Sequence, residues 1–134
     1  MKNFRKVAQN STSISPIMAG REKINTIEIV GKNLTVAAFD IAQLIGYTNR
    51  ATGEVKDVEY GVFVFAEMPD KYYQAGTVGT RIANDWLAMY DGESTDIHDQ
   101  CAELSEEIAP EKIQLKFTES TTSRGQRIIK IDVI

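Results

Sequence analysis

The sequence has one cysteine, Cys101, and one histidine, His98. A single thiol excludes an intramolecular disulfide, and a zinc site would have to be built mostly from carboxylates, which suit zinc poorly. No run of eighteen apolar residues occurs, so no membrane span is expected. The basic start, Met1 to Lys6, leads into polar residues rather than an apolar stretch, unlike a secretory signal. A reducing, cytoplasmic setting is therefore expected. There is no internal repeat and no low-complexity tract.

Catalytic motifs are equally scarce. Gly76-Thr77-Val78-Gly79-Thr80 lacks the Gly-Lys-Ser/Thr ending of a phosphate-binding loop and reads as capping and close packing where a helix begins. No calcium-loop spacing is present. His98 and Cys101 are three apart on a predicted helix, but Cys101 falls on its apolar face and reads as a small core residue. His98, between Asp96 and Asp99, reads as a solvated imidazole. We expect no catalytic residue, metal site or cofactor, and hence no enzyme.

What remains is the composition of an ordinary globular domain: 134 residues, 43% hydrophobic, 25% charged, net charge −4. A chain of this length makes one domain, burying roughly two-thirds of its unfolded surface. We expect a flexible basic segment over residues 1–20 and a single α+β domain over 21–134. Charge is polarised. Residues 1–32 hold six bases against two acids, and residues 109–134 five against three. Residues 76–108 hold only Arg81 against eight acids.

Ile113, Leu115 and Phe117, then Ile129, Ile131 and Val133, alternate with polar residues on either side of a Ser/Thr/Arg/Gly turn, which predicts a hairpin with one dry face. A second hairpin is predicted from Phe39–Ala42 and Val58–Phe65 around the turn residues 48–54. Val62 to Phe65 are apolar on both faces, which suggests a central strand. Between the hairpins, Val78, Ile82, Trp86, Met89 and Tyr90 predict one amphipathic helix, with Thr77 as its cap and Gly92 ending it. Ile97, Cys101, Leu104 and Ile108 predict a second, capped by Ser94 or Thr95 and stopped before Pro110. Residues 24–36 fit either a strand or a short helix; the strand is favoured by their β-branched content. The result is an antiparallel sheet of four to five strands with two helices between the third and fourth. If residues 24–30 are helical, four strands remain.

Aromatic and basic residues supply the constructive lead. Tyr60, Tyr72 and Tyr73 lie on or beside predicted strands and keep polar hydroxyls. Arg50, Lys56, Lys71, Lys116, Arg124 and Arg127 lie on the same ribbons or their tips. Flat rings flanked by cations are what single-stranded nucleic acid needs: bases stack on the rings at ~1–3 kcal/mol each, and the cations neutralise phosphates. Strand parity puts Phe63 and Phe65 on one face and Tyr60, Val62 and Val64 on the other, so at most one set is exposed.

This element order, with basic hairpin tips around Arg50 and Arg124, resembles an OB-fold, a partly open five-stranded barrel. It is similar in style to the single-stranded DNA-binding proteins of phages and mobile elements. The resemblance implies a non-enzymatic role in DNA replication, with those nine residues as the nucleic-acid contacts. The long, doubled helical region and the absence of an acidic tail depart from that pattern. The alternative is a protein-interaction module, such as a phage-encoded inhibitor or assembly factor, presenting the acidic helices of residues 78–108 to a basic partner. The sequence does not specify the oligomeric state.

Overall fold

The computed structural model describes residues 15–48 and 51–134. It is an α+β fold whose mixed, unclosed sheet has six strands: β1 (Glu22–Lys23), β2 (Asn33–Thr48), β3 (Val55–Phe65), β4 (Lys71–Gln74), β5 (Gln114–Thr121) and β6 (Arg127–Val133). They run in the order β1-β4-β3-β2-β5-β6, with only the β1–β4 pair parallel. Two helices, α1 (Thr77–Leu87) and α2 (Ile97–Ile108), connect β4 to β5.

Both predicted hairpins form, as β2–β3 and β5–β6. Residues 24–30 do not form the favoured strand. Asn25 instead caps a 3-10 turn over Thr26–Glu28, with Glu28 completing a capping box. Residues 33–36, the end of the segment read as a strand over 24–36, start β2. This 16-residue strand pairs with β5 on one edge, through Asn33–Thr35, and with β3 on the other from Val36 onward, with a register shift between Val36 and Ala38. The sequence reading omitted β4 as a strand and β1 altogether, so the helices follow the fourth strand, not the third.

The core lies on the sheet face that carries Phe39, Phe63, Phe65, Tyr73 and Phe117, closed by Trp86 of α1. Trp86 meets Phe39 edge-on at 5.2 Å, and Phe117 meets Tyr73 the same way at 5.2 Å. Close approach of α1 to β3 requires small residues. A Cβ at Gly61 would stand 3.1 Å from the Ala83 Cβ and 3.2 Å from the Gly79 carbonyl oxygen. One at Gly79 would stand 2.5 Å from the Ala75 Cβ. Gly79 thus serves packing, whereas a Cβ at Gly76 would meet nothing within 4 Å.

The opposite face of β3 is covered too, which explains its unbroken apolar run. Val62 and Val64 are buried there, and the chain over residues 15–18 packs against β2, β3 and β4. Residues 15–20 therefore belong to the packed body: Ser15 is fully buried and caps a 3-10 turn over Pro16–Met18. Residues 1–14, the remainder of the expected flexible segment, lie outside the described residues.

The helix boundaries differ from the sequence expectation. Gly76 is the N-cap of α1 and makes no side-chain cap bond, while Thr77 is the first helical residue. The helix ends at Leu87, so Met89 and Tyr90 lie beyond it and Gly92 is not its terminator. Asp96, rather than Ser94 or Thr95, caps α2, accepting from the His98 and Asp99 amides. Cys101, Leu104 and Ile108 are buried as their spacing predicts. Among the described residues, no helix is long and apolar enough to cross a membrane.

Candidate nucleic-acid interface

Beyond the end of β4, the β3 edge and the first turns of α1 enclose a groove of about 650 Å³. Its walls are Val58, Tyr60, Gln74, Thr77, Arg81 and Asn84. Tyr60 arrives there by strand parity: Phe63 and Phe65 fill the core, so Tyr60, with Val62 and Val64, takes the other face. Its ring is half-buried. Burial raises the hydroxyl pKa above the usual tyrosine value, and the neighbouring Tyr72 adds to that rise. Tyr72 is also half-buried, on the outer face of β4. Both tyrosines are partly exposed on that outer face, and Tyr60 also borders the groove.

Arg81 is exposed, and among the described residues no acid pairs with it. Gln74, Thr77 and Asn84 add exposed hydrogen-bonding groups. One acid, Glu59, also borders the groove, where it accepts a hydrogen bond from Gln43 Nε2 at 3.3 Å. Stacking surface, amide groups and a free guanidinium are thus held together on two strands and one helix. Arg81 was passed over in the sequence because it sits in the most acidic segment of the chain. No sequence signal marks it, because its place depends on the end of β4, a strand too short to show a period.

The remaining predicted contacts are distributed unevenly. Tyr73 is buried at 6% exposure between Phe63, Phe65 and Phe117, so no base can stack on it in the folded protein. Alternation along β4 puts it opposite in facing to Tyr72, and the sequence reading grouped the two only because β4 had not been recognised. Lys71 is committed to Glu28 at 2.6 Å. Arg127 pairs with Glu119 at 3.3 Å while remaining largely exposed. Lys116 and Arg124 are exposed and unpaired among the described residues, Lys116 on β5 and Arg124 at the β5–β6 tip. They are remote in sequence from the groove and do not line it. Arg50 lies outside the described residues, and Lys56 belongs to β3 without a described side chain.

A second polar cluster lies elsewhere, under residues 15–18. Asp40, 2% exposed, accepts from the Ser15 hydroxyl, from the Ile41 amide at 2.8 Å and from His98 Nδ1 at 2.8 Å. His98 is therefore a partner of a buried carboxyl group rather than a solvated imidazole. Neighbours 58 residues apart leave no local signal. Cys101 is fully buried nearby. Burial, with the adjacent Asp40 reinforcing it, pushes the thiol pKa up to about 12, which leaves it protonated and unreactive. Ser15 bonds to Asp40 and not to the imidazole, so the cluster joins β2, α2 and the chain before β1 without an activated nucleophile. Among the described residues, no group of three or more metal-ligating side chains occurs.

Comparison with family models, curated proteins and solved structures finds no match to this chain.

Proposed function

We propose that this protein binds single-stranded DNA without catalysis, through Tyr60, Tyr72 and the groove that holds Arg81. The observation that carries the reading is the groove itself. A half-buried ring and a guanidinium with no acidic partner among the described residues sit on rigid elements, with amide side chains beside them. Bases stack on such rings whatever their identity, and the guanidinium neutralises a phosphate.

Connectivity supports the reading. Without the two-residue β1, the order β4-β3-β2-β5-β6, with the helices between β4 and β5, is that expected of an OB-like, partly open barrel. In such a barrel, the second and third strands form the binding face, and here those are β3 and β4, which carry Tyr60, Tyr72 and Gln74. The loops that grip the strand on either side are then the β2–β3 connection, with Arg50, and the β5–β6 tip, with Arg124. Exposed Lys116 on β5 and Arg127 on β6 add positive charge along that ribbon, and Lys56 remains a proposed contact from the sequence alone. Lys71 and Tyr73 support the fold in this reading instead of contacting the strand.

Fluorescence anisotropy with labelled oligo-dT at ~50 mM salt tests this, because electrostatic affinity is strongest there. Binding is expected, weakened about tenfold or more by Tyr60→Ala. A smaller loss is expected for Arg81→Ala and none for Glu106→Ala on α2. No binding by the wild-type chain overturns the proposal. The second reading, an acidic protein-interaction module, draws on the exposed carboxylates Asp99, Glu106 and Glu107 of α2, none of which has an ion-pair partner among the described residues. Capture of a basic protein that is lost on reversing those three charges would favour it over DNA binding.

A further inference from the structure

The outer edge of β6 is open. The Gln114–Ile134 pair exchanges both backbone bonds at 2.9 Å, and at the other end of the ribbon the Thr122 amide donates to the Gln126 carbonyl at 2.8 Å. In an antiparallel ladder these paired positions alternate. Asp132, Lys130 and Ile128 therefore bond toward β5, while the amides and carbonyls of Ile129, Ile131 and Val133 point away from it. Among the described residues, none of these three backbones has another partner.

Apolar surface gathers at the same place. Ile128, Val133 and Ile134 are exposed at 41%, 47% and 56%. Residues 128–132 form one wall of a groove of about 680 Å³, and Tyr73, Gln74, Thr77 and exposed Val78 stand on the other. A strand with one open edge, no proline and no bulge, bordered by exposed apolar side chains, is a template for strand addition.

We propose that the occupant of this edge is β6 of a second copy, paired antiparallel about a two-fold axis through Ile131. The choice rests on self-complementarity. In this register Ile131 meets Ile131, Ile129 meets Val133 and Ile128 meets Ile134. Lys130 meets Asp132, twice. The outward-pointing backbones of Ile129, Ile131 and Val133 fall at the hydrogen-bonded positions. Lys130 and Asp132 fall at the non-hydrogen-bonded ones, where side chains approach most closely. A shift of the axis to Lys130 or to Asp132 sets like charges face to face, and among the remaining registers the axis at Ile131 is the one that pairs Lys130 with Asp132. The resulting interface is isologous and closes at two copies. It uses neither Tyr60 nor Arg81, although Gln74 and Thr77 line both grooves.

Charge exchange on the intact chain tests the proposal, read by sedimentation equilibrium across micromolar to millimolar concentration. The wild type is expected to dimerise. Lys130→Asp and Asp132→Lys each place like charges opposite one another twice and are expected to raise the dimer dissociation constant about tenfold or more. The double variant recreates both opposite-charge pairs in reversed order and is expected to dimerise again. Val133→Pro removes an outward amide that β5 does not use, so a folded monomer by circular dichroism is expected. A wild type that stays monomeric throughout the range overturns the proposal. So do single-charge variants and Val133→Pro that dimerise like the wild type, since the contact would then lie elsewhere.

Discussion

Gly79 shows at the level of one residue how packing overrides propensity. Alanine is the better helix former by roughly 1 kcal/mol, yet a Cβ here would come within 2.5 Å of the Ala75 side chain. Overpacking of this kind costs about 1–3 kcal/mol. Gly79→Ala is therefore expected to lower the urea midpoint despite the gain in propensity. An unchanged or raised midpoint would mean that β4 and α1 part more easily than their packing implies. The sequence displays Gly79, but its purpose depends on Ala75 and Ile131. His98 is the stronger case. Its flanking acids suggested solvent, and the group that determines its environment, Asp40, is supplied by another element.

At the scale of elements, the fold depends on side chains that complete what a neighbouring element leaves open. β5 pairs with β2 only as far as Thr35. Beyond that point α2 covers the exposed edge: Ser105 Oγ accepts from the Phe39 amide at 3.0 Å and lies 3.3 Å from the Phe39 carbonyl. Ser105→Ala strands a buried amide and is expected to cost about 1–3 kcal/mol by chemical denaturation. A loss well below that would show that the edge is covered by packing alone.

Three carboxylates tie other elements together. The ammonium of Lys71 on β4 holds Glu28 below its ordinary pKa. Burial acts to raise Glu67, but bonds from the hydroxyl and amide of Thr35 on β2 outweigh it and leave Glu67 lowered. Ser94 and Tyr90, in the connection after α1, lower Glu103 of α2. A lowered folded pKa means that the unfolded chain takes up the proton first. The stabilisation is thus fully present above the unfolded-carboxylate range near ~4.3 and lost as pH falls through the folded values. Thermal unfolding followed across the acid range is expected to show this decline, reduced in Glu103→Gln. A flat profile in the wild type would contradict the assignment.

For the whole molecule, net charge −4 opposes approach to a polyanion, and the separation of charge along the chain becomes decisive. The eight acids of residues 76–108 are spread over two helices and their connection, yet only the first turns of α1, with Arg81, reach the groove. Oligo-dT affinity is expected to fall with salt. Arg81→Ala should flatten the slope of log affinity against log salt by about 0.7, the share of one phosphate contact to a single strand. An unchanged slope in that variant would place the contact elsewhere.

The sequence by itself determined the α+β class, both ribbons, the two helices, the dry face of Phe117 and the shared face of Phe63 and Phe65. Period-two and period-3.6 patterns reflect a single wet–dry boundary that each element carries locally. It did not disclose the strand at Lys71–Gln74, which is too short to display a period, or the shared pairing of β2 with β3 and β5. Nor did it disclose which tyrosines remain accessible. Tyr72 and Tyr73 are adjacent and chemically identical. Only the tertiary structure turned one outward and sealed the other among Phe63, Phe65 and Phe117, because burial depends on what the rest of the chain brings to each face.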